Sequence, residues 1–219
     1  MGRTKSTKRR LTFSNEYFYH IYNRGIEKRK VFLDKWDYVK FIEQLREFNR
    51  INPVYSLYYR KKGKLRGPTA SGAVGPHDKL LVEILAYCLL SNHFHLLLKQ
   101  KSNRGISEFM RKLGGYTGYF NNKYKRSGSL FQGKFKSTEI RSMNKLLKMS
   151  IYVNCNAEIH GIMKAQNWIW SSYLDYIGKR NGTLCNKKIV LDEVESINEY
   201  IELCEDMVPV FREVKDLEE

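Results

Sequence analysis

Cysteine is scarce in this chain of 219 residues, and its four cysteines form no CxxC pair. Zinc fingers and disulfide-stapled folds need cysteines that are numerous or closely spaced, so neither kind of structure is expected here. The cysteines occur in sequence that is otherwise typical of a cytoplasmic protein. We therefore expect all four to be reduced thiols.

Long apolar segments are absent as well. No window approaches the roughly eighteen uninterrupted apolar residues of a membrane span. The first ten residues are basic, but no apolar run follows them, so we expect no secretory signal. The expected setting is the cytoplasm, near nucleic acid, as for a nucleoid-associated protein of a prokaryote.

Acidic residues are rare everywhere except at the carboxyl terminus. Eleven acidic and two basic residues follow position 191, which leaves 37 basic and 12 acidic residues in the first 191. A positive excess of this size is typical of proteins that bind a polyanion, and nucleic acid is the commonest one. The acidic tail either shields this basic body or is a solvated appendage.

The composition supports one folded domain with appendages. Apolar residues make up 42% of the chain and charged residues 28%, which is enough to bury a core. We expect a basic flexible arm over residues 1–12, a main domain over 13–178 and a carboxyl-terminal extension with an acidic helical tail over 179–219. A Gly- and Pro-rich stretch, about 59–79, is expected to be a flexible insertion in the main domain.

The hydrophobic patterns predict alternating strands and helices. Strands are predicted at 18–22, 80–90, 93–100 and 135–140, and helices after Asp34, over 106–120 and from Ser142 to His160. The order β-α-β-β-α-β-α is that of a ferredoxin-like, split βαβ antiparallel sheet with helices packed on it. The predicted fold class is therefore α+β.

The third predicted strand carries two histidines one residue apart. Because side chains alternate along a strand, His93 and His95 are expected on one face and Phe94 on the other. Two imidazoles on one face can bind a single divalent ion. A pair of histidines that only form hydrogen bonds with their neighbours is the alternative, and for the bare HxH pattern it is favoured.

The last predicted helix places a tyrosine and an amide on one face. Tyr152 and Asn156 are four residues apart, and Lys145 and Lys148 lie on the same side, away from the apolar stripe of Met143, Leu147 and Ile151. Such a face can present a phenol and a metal-binding oxygen to one point. The alternative is a half-buried tyrosine at the margin of the helix, which the presence of fifteen tyrosines makes plausible.

Cations alternate with aromatic residues between the second helix and the fourth strand. Residues 101–138 contain nine basic side chains and one acidic one. This composition suits single-stranded nucleic acid, because cations follow the phosphates while rings stack on the bases. The candidate contacts are Arg24, Lys123, Lys125, Arg126, Gln132, Lys134 and Lys136, together with Lys145 and Lys148.

Several of these segments together resemble the HUH single-tyrosine transposases, in particular the transposase-like proteins associated with repetitive extragenic palindromes. The similarity runs from about Phe18 to Gly178. The matching segments are YHIYNRG at 19–25, DY at 37–38 with Phe41, NHFHLLL at 92–98, the Tyr152-(x)3-Asn156 helix, YFN at 119–121, GSLFQGKFKS at 128–137 and WSSY at 170–173. One position departs from the pattern, since Ala157 stands where the family usually has a proline.

The resemblance implies a role for four of the matching residues. It makes His93 and His95 ligands of Mg²⁺ or Mn²⁺, Asn156 a third ligand and Tyr152 the nucleophile. It also implies cleavage and rejoining of single-stranded DNA at hairpin or palindromic ends, through a 5′-phosphotyrosine and with no nucleotide cofactor. The partner is then single-stranded or hairpin DNA, and a monomer and a homodimer both remain open.

Two other functions stay open at this point. The chain could be a domesticated relative that binds DNA or RNA without catalysis, although binding alone needs none of the four implied site residues. An RNA-binding ferredoxin-like module is disfavoured, because the first and third strands lack its paired aromatic residues. Of the remaining histidines, His20 is expected to order the first strand and His160 to cap the last helix.

Overall fold

A computed structural model describes residues 12–51 and 79–218, and its centre is a four-stranded antiparallel sheet. The strands are β1 (Phe18–Arg24), β2 (Val82–Leu90), β3 (His93–Gln100) and β4 (Lys136–Ile140). Their order across the sheet is β2-β3-β1-β4, and every neighbouring pair is antiparallel. The predicted α+β, ferredoxin-like arrangement is confirmed.

Helices follow the strands in the predicted order and continue beyond them. They are α1 (Lys35–Glu47), α2 (Gly105–Leu113), α3 (Tyr116–Lys123), α4 (Met143–Asn154), α5 (Asn156–Ile159), α6 (Tyr173–Tyr176), α7 (Lys188–Leu191) and α8 (Ile197–Glu218). Two short 3₁₀ turns lie at Ile26–Lys28 and Ala165–Asn167. No helix in the described ranges is both long and apolar enough to cross a membrane. The predicted basic arm, apart from residue 12, and the predicted insertion, apart from residue 79, lie outside these ranges.

Helix α1 begins where the sequence predicts it. Asp34 accepts hydrogen bonds from two backbone amides of the first turn and forms a capping box with Asp37. The sequence spacing predicts an apolar stripe of Trp36, Tyr38, Phe41, Ile42 and Leu45 on this helix. Phe41 and Leu45 are fully buried, but Trp36 is 60% exposed. It lies in the first turn, outside the packed part of the helix.

Two predicted helices are each divided in the structure. The helix predicted over 106–120 is two helices, α2 and α3, separated by Gly114 and Gly115, which favour a break because glycine has the largest backbone freedom. The helix predicted to end at His160 stops at Asn154 and resumes as α5. Gly161 then adopts a left-handed conformation with φ +65°, as expected for a residue that follows a helix.

The two faces of the sheet have different partners. The face that carries Phe94, Leu96 and Leu98, here called the closed face, packs in one core cluster with the buried residues of α1, α2 and α3. The face that carries His93, His95 and Leu97, here called the site face, packs in a second cluster with α4 and α8. The predicted division of alternate β3 side chains between the two faces is confirmed.

The carboxyl-terminal segment is bound to the core through buried polar groups. The Tyr200 hydroxyl on α8 accepts a hydrogen bond from Asn154 Nδ2 at 2.9 Å and lies 3.1 Å from the Ser150 hydroxyl. The stripe that α4 buries therefore includes Ser150 and Asn154 beside Ile151, whereas Met143 and Leu147 of the predicted stripe are only partly buried. The sequence also predicts that the tryptophans at 168 and 170 anchor the carboxyl-terminal extension on the core. Trp170 stacks on Tyr38 of α1 with a centroid distance of 4.5 Å.

Candidate functional site

The candidate site lies at the end of the site face where β3 begins. His93 and His95 project from β3 with ring centroids 5.0 Å apart. The antiparallel register places Arg24 of β1 opposite His93 and Tyr22 opposite His95. Residues opposite each other in such a pair point to the same face, so β1 supplies a cation and an aromatic ring to the two imidazoles.

His95 is buried and has one nitrogen without a partner. Its Nδ1 atom lies 2.8 Å from His20 Nε2, whereas its Nε2 atom is buried and forms no hydrogen bond. Burial lowers the pKa of His95 well below 6.5, and the nearby histidines 20, 93 and 160 lower it further. The imidazole is therefore neutral at pH 7 and can offer a nitrogen lone pair to a cation.

His93 is held by its neighbour in the chain. Its Nδ1 atom lies 2.6 Å from Asn92 Oδ1. Burial lowers the pKa of His93 to about 3, and His160 and Arg24 add to that effect, while the Asn156 amide opposes it. His93 is thus a second neutral imidazole at pH 7.

Helix α4 brings Tyr152 to these imidazoles. The Tyr152 ring lies edge-on to His95 and to His20, with centroid distances of 5.7 Å to each. On its other side it contacts Phe211 of α8 at 5.3 Å. The structure therefore brings the predicted nucleophile next to the predicted ligands within one chain.

Asn156 occupies the break between α4 and α5 and is completely buried. Neither its amide oxygen nor its amide nitrogen forms a hydrogen bond. A buried polar atom without a partner costs about 1–3 kcal/mol, so an oxygen left in this state next to His93 is suited to an added ligand. Asn156, the predicted third ligand, therefore has unpartnered amide atoms close to His93.

The donor set determines which cations fit this site. In the described part of the chain, no group of three or more His, Cys, Asp or Glu side chains is arranged to hold a metal ion. The two imidazoles and the Asn156 amide could together offer two nitrogen donors and one oxygen donor. Such a mixed set fits Mn²⁺ or a similar divalent ion, and also Mg²⁺ where water and phosphate oxygens fill the other positions.

A cavity of about 230 Å³ opens beside the imidazoles. It is lined by Tyr22, Asn23, Arg24, His93, His95, Gln132, Lys136 and His160. Arg24 Nε is buried without a hydrogen-bond partner, and Lys136 Nζ lies 5.9 Å from the centre of the Tyr22 ring. The lining combines cations with the imidazoles, so the cavity suits a phosphodiester.

The remaining predicted DNA contacts are not part of the cavity lining. Lys123 lies on α3, where its ammonium group pairs with Asp34 and Asp37 at 2.8 Å each. Arg126 donates to Asn121 Oδ1 and to the Ser129 carbonyl, and so holds its own loop. Exposed cations remain along β4 and α4 and in the loop between α3 and β4, at residues 125, 134, 136, 145 and 148.

Sequence reasoning undervalued four side chains of the site. It assigned His20 to strand order and His160 to a cap. His160 is indeed the C-cap of α5, but its ring also lies 5.1 Å from that of His93, and His20 also contacts His95. Sequence reasoning gave no role to Asn92 or Tyr22. The register of β1 against β3 would have shown that His20 and Tyr22 share the face of the imidazoles, but strand register is not evident from one sequence.

Comparison with protein families finds one match. Residues 76–156 match the family described as "Transposase IS200 like". This segment contains both imidazoles, Tyr152 and Asn156. The resemblance to single-tyrosine transposases, which the sequence motifs indicate, is thereby confirmed for this part of the chain.

Comparison with solved structures supports the fold. A REP-associated tyrosine transposase, solved bound to a REP hairpin, superposes with a TM-score of 0.53 and 13% sequence identity. The alignment covers 82% of this chain and 90% of that one. Comparison with curated protein sequences finds no significant match.

Proposed function

Because the segment with the site residues matches the IS200-like transposases, we propose that this protein is a metal-dependent DNA strand transferase. It cleaves and rejoins single-stranded DNA at hairpin or palindromic ends through a 5′-phosphotyrosine. The observation that carries the proposal is the position of the Tyr152 ring, 5.7 Å from that of His95, whose Nε2 atom is buried and unpartnered. Nucleic-acid binding alone requires neither feature.

The proposed reaction is one transesterification and its reverse. The Tyr152 hydroxyl attacks the scissile phosphorus, the bond from phosphorus to the 3′-oxygen of the preceding nucleotide breaks, and a phosphotyrosine bond forms. The phenol loses one proton and the departing 3′-oxygen gains one. The covalent link conserves the energy of the phosphodiester, so a 3′-hydroxyl can reverse the step without a nucleotide cofactor.

The chain's own residues bind and orient the substrate. Arg24 and Lys136 attract the phosphodiester into the cavity, and the buried surroundings of His93 and His95 exclude much of the competing water. A tyrosine phenol has an ordinary pKa of about 10, so it needs nearby positive charge to react as phenolate. Lys145 and Lys148 supply such charge along the exposed side of α4.

His93, His95 and Asn156 would hold the divalent cation. When bound, this cation polarises a non-bridging phosphate oxygen and stabilises the negative charge that develops during attack. Ligation would also give the orphaned His95 Nε2 atom and the Asn156 amide a partner.

The substrate is proposed to be DNA with a folded end, as in the hairpin complex of the similar structure. The positive body of the chain suits the phosphate backbone of a stem, and the cavity beside His93 and His95 is proposed to accept an unpaired strand. The cations at 125, 134 and 136 extend from the cavity and are proposed to follow the strand. We expect the protein to act where chromosomal DNA is accessible.

The proposal is tested with a labelled hairpin oligonucleotide that carries a single-stranded extension, incubated with Mn²⁺ or Mg²⁺. We expect a protein–DNA adduct that survives denaturation and disappears in Tyr152→Phe. Tyr17→Phe, which removes a hydroxyl at the opposite end of β1, is the matched control and should form the adduct normally. If the wild-type protein binds the hairpin but forms no adduct with either ion, the protein is a binding protein and the transferase proposal is wrong.

A further inference from the structure

Both site histidines use the same ring nitrogen for contacts within the protein. The Nδ1 atom of His93 lies 2.6 Å from Asn92 Oδ1, and the Nδ1 atom of His95 lies 2.8 Å from His20 Nε2. The Nε2 atom of His95 is left without a partner. A neutral imidazole has one N–H and one lone pair, so the group that binds Nδ1 decides which atom faces the site.

The orientation of the Asn92 amide is fixed on its far side. Asn92 Nδ2 donates to the Lys28 carbonyl at 3.1 Å. A carbonyl only accepts hydrogen bonds, so the amide nitrogen faces Lys28 and the amide oxygen faces His93. An oxygen acceptor at 2.6 Å requires a proton on His93 Nδ1, which leaves the lone pair on Nε2.

The Lys28 carbonyl is itself held in place by a tight loop after β1. The Gly25 amide donates to the Asn92 carbonyl at 2.8 Å, and the Lys28 amide donates to the Gly25 carbonyl at 3.1 Å. A β-carbon at Gly25 would lie 2.2 Å from the Arg29 carbonyl oxygen, so only glycine permits this path. The loop after β1 and the turn between β2 and β3 therefore hold each other in place through these hydrogen bonds.

His20 holds His95 from the neighbouring strand. It lies on β1, two residues before the partner of His95 in the β1–β3 register. Its ring is nearly parallel to that of His95, with centroids 5.0 Å apart. One of the two facing nitrogens must carry the proton. If the lone pair of His95 is to face the site at Nε2, Nδ1–H donates and His20 Nε2 accepts.

We propose that Asn92 and His20 are positioning residues that hold His93 and His95 in one tautomer, with the proton on Nδ1 and the lone pair of Nε2 directed at the cation site. The inference rests on the proposed function, because it takes the two imidazoles as cation ligands. It adds that the tautomers and orientations of the two imidazoles are fixed before a cation binds, by residues that do not contact the cation. Such supporting groups orient metal-binding histidines in general.

The first test needs neither cation nor DNA. Nitrogen-15 NMR of the metal-free protein, labelled at histidine, distinguishes a protonated from an unprotonated ring nitrogen. We expect His93 and His95 both to show N–H at Nδ1 and a bare Nε2 near neutral pH. A proton on Nε2 of either residue in the wild-type protein would overturn the inference.

The second test measures Mn²⁺ affinity by calorimetry in pairs of variants. Asn92→Leu and His20→Leu remove the acceptors, and we expect each to weaken Mn²⁺ binding by about 10- to 100-fold. Asn92→Asp keeps an oxygen acceptor and His20→Gln replaces the ring nitrogen with one, and we expect both to restore most of the affinity and the Nδ1–H signal. Ser91→Ala is the matched control, since no hydrogen bond found for either imidazole in the described ranges involves Ser91.

The outcomes separate this inference from the proposed function. If the wild-type protein binds no Mn²⁺ while its tautomers are as expected, the transferase proposal fails and the positioning contacts stand as structural hydrogen bonds. If it binds Mn²⁺ and the Leu variants bind it equally well, with unchanged tautomers, the inference is wrong. Circular dichroism of each variant checks that a loss of affinity is not a loss of fold.

Discussion

The closed face and the site face are built from alternate residues of the same strands, yet they differ in what they bury. On the closed face Ile21, Phe94 and Leu96 meet the aromatic side chains of α1 to α3, and apolar contact continues along the sheet. The site face is equally apolar where Phe18 and Ile140 meet α4 and α8. At its other end, imidazoles, an amide and a phenol replace the apolar side chains.

This difference separates residues selected for stability from residues selected for chemistry. Buried polar atoms without partners are costly, and His95, Asn156 and Arg24 all contribute them at the open end of the site face. The strands do not require these groups, because their closed face presents apolar side chains, although Gln44 and Glu47 of α1, which packs on that face, also carry a buried atom without a partner. The presence of the three groups on the site face is explained if a cation and a phosphate supply the missing partners.

The largest expected effect comes from substituting two neighbours in β3 that lie on opposite faces. His95→Ala should lower the rate of hairpin cleavage on the order of 10³-fold, because bound-metal stabilisation of the transition state is worth several kcal/mol. Phe94→Ala should lower the free energy of unfolding by about 3–5 kcal/mol, because it empties a core position. Cleavage kinetics and urea unfolding of both variants measure the two effects.

The comparison of the two faces requires that each substitution mainly change one property, cleavage rate or stability, and change the other much less. We expect His95→Ala to change the free energy of unfolding much less than Phe94→Ala does, since it removes a buried nitrogen that lacks a partner. Residual folded Phe94→Ala protein should still form the adduct. If His95→Ala proved as destabilising as Phe94→Ala and cleaved at the wild-type rate, the two faces would not differ in the way described.

The next effect is a loss of stability between about pH 7.5 and 5 that arises from the buried histidines of the site face. Burial lowers the pKa of His20 to about 4 and that of His93 to about 3, from an ordinary value of 6.5. His20 is faced by Tyr22, His95 and Tyr152, and His93 by Arg24, His160 and Asn156.

Unfolding returns both groups to a pKa near 6.5. Between that value and the folded pKa the unfolded chain binds more protons, so the free energy of unfolding falls as the pH falls. The loss reaches about 1.4 kcal/mol per pH unit for each histidine. Urea unfolding of the metal-free protein at several pH values between about 7.5 and 5 measures it. A His20→Gln variant should show a shallower dependence, and a flat profile for the wild-type protein would contradict the assignment.

Local patterns in the sequence predicted most of the fold. Alternation in β3, the Asp34 cap of α1 and the order of strands and helices depend on neighbours within a few residues. The pattern of α4 was read incorrectly at one point, since apolar spacing selected Met143 and Leu147 whereas the helix buries Ser150 and Asn154. Those two polar residues are buried because Tyr200, some fifty residues away, bonds to them.

The candidate site was predictable where residues close together in the sequence carry the signal. His93 and His95 lie on one strand, Tyr152 and Asn156 are four residues apart across the break between α4 and α5, and the family resemblance connected the two pairs. The supporting groups depend on register and on tertiary contacts. His20 reaches His95 only because of the β1–β3 pairing, and Asn92 is oriented by a loop carbonyl.

The smallest expected effect compares one cation from each face. Arg24 lines the cavity with a buried Nε atom that lacks a partner, whereas Lys123 on the closed side is paired with Asp34 and Asp37. Arg24→Ala should weaken hairpin binding about tenfold and lower the slope of affinity against salt by about one, with little change in stability. Fluorescence anisotropy across a salt series measures both quantities.

Lys123→Ala should show the opposite pattern. Asp37 is completely buried and retains the hydroxyls of Tyr119 and Tyr124 as donors, so the loss of the ammonium group should cost only about 1–2 kcal/mol of stability. Hairpin affinity and its salt slope should stay near the wild-type values, because the charge is neutralised within the fold. If Lys123→Ala lowered the salt slope as much as Arg24→Ala, the DNA path would extend onto the closed side, and the original assignment of Lys123 as a DNA contact would be correct.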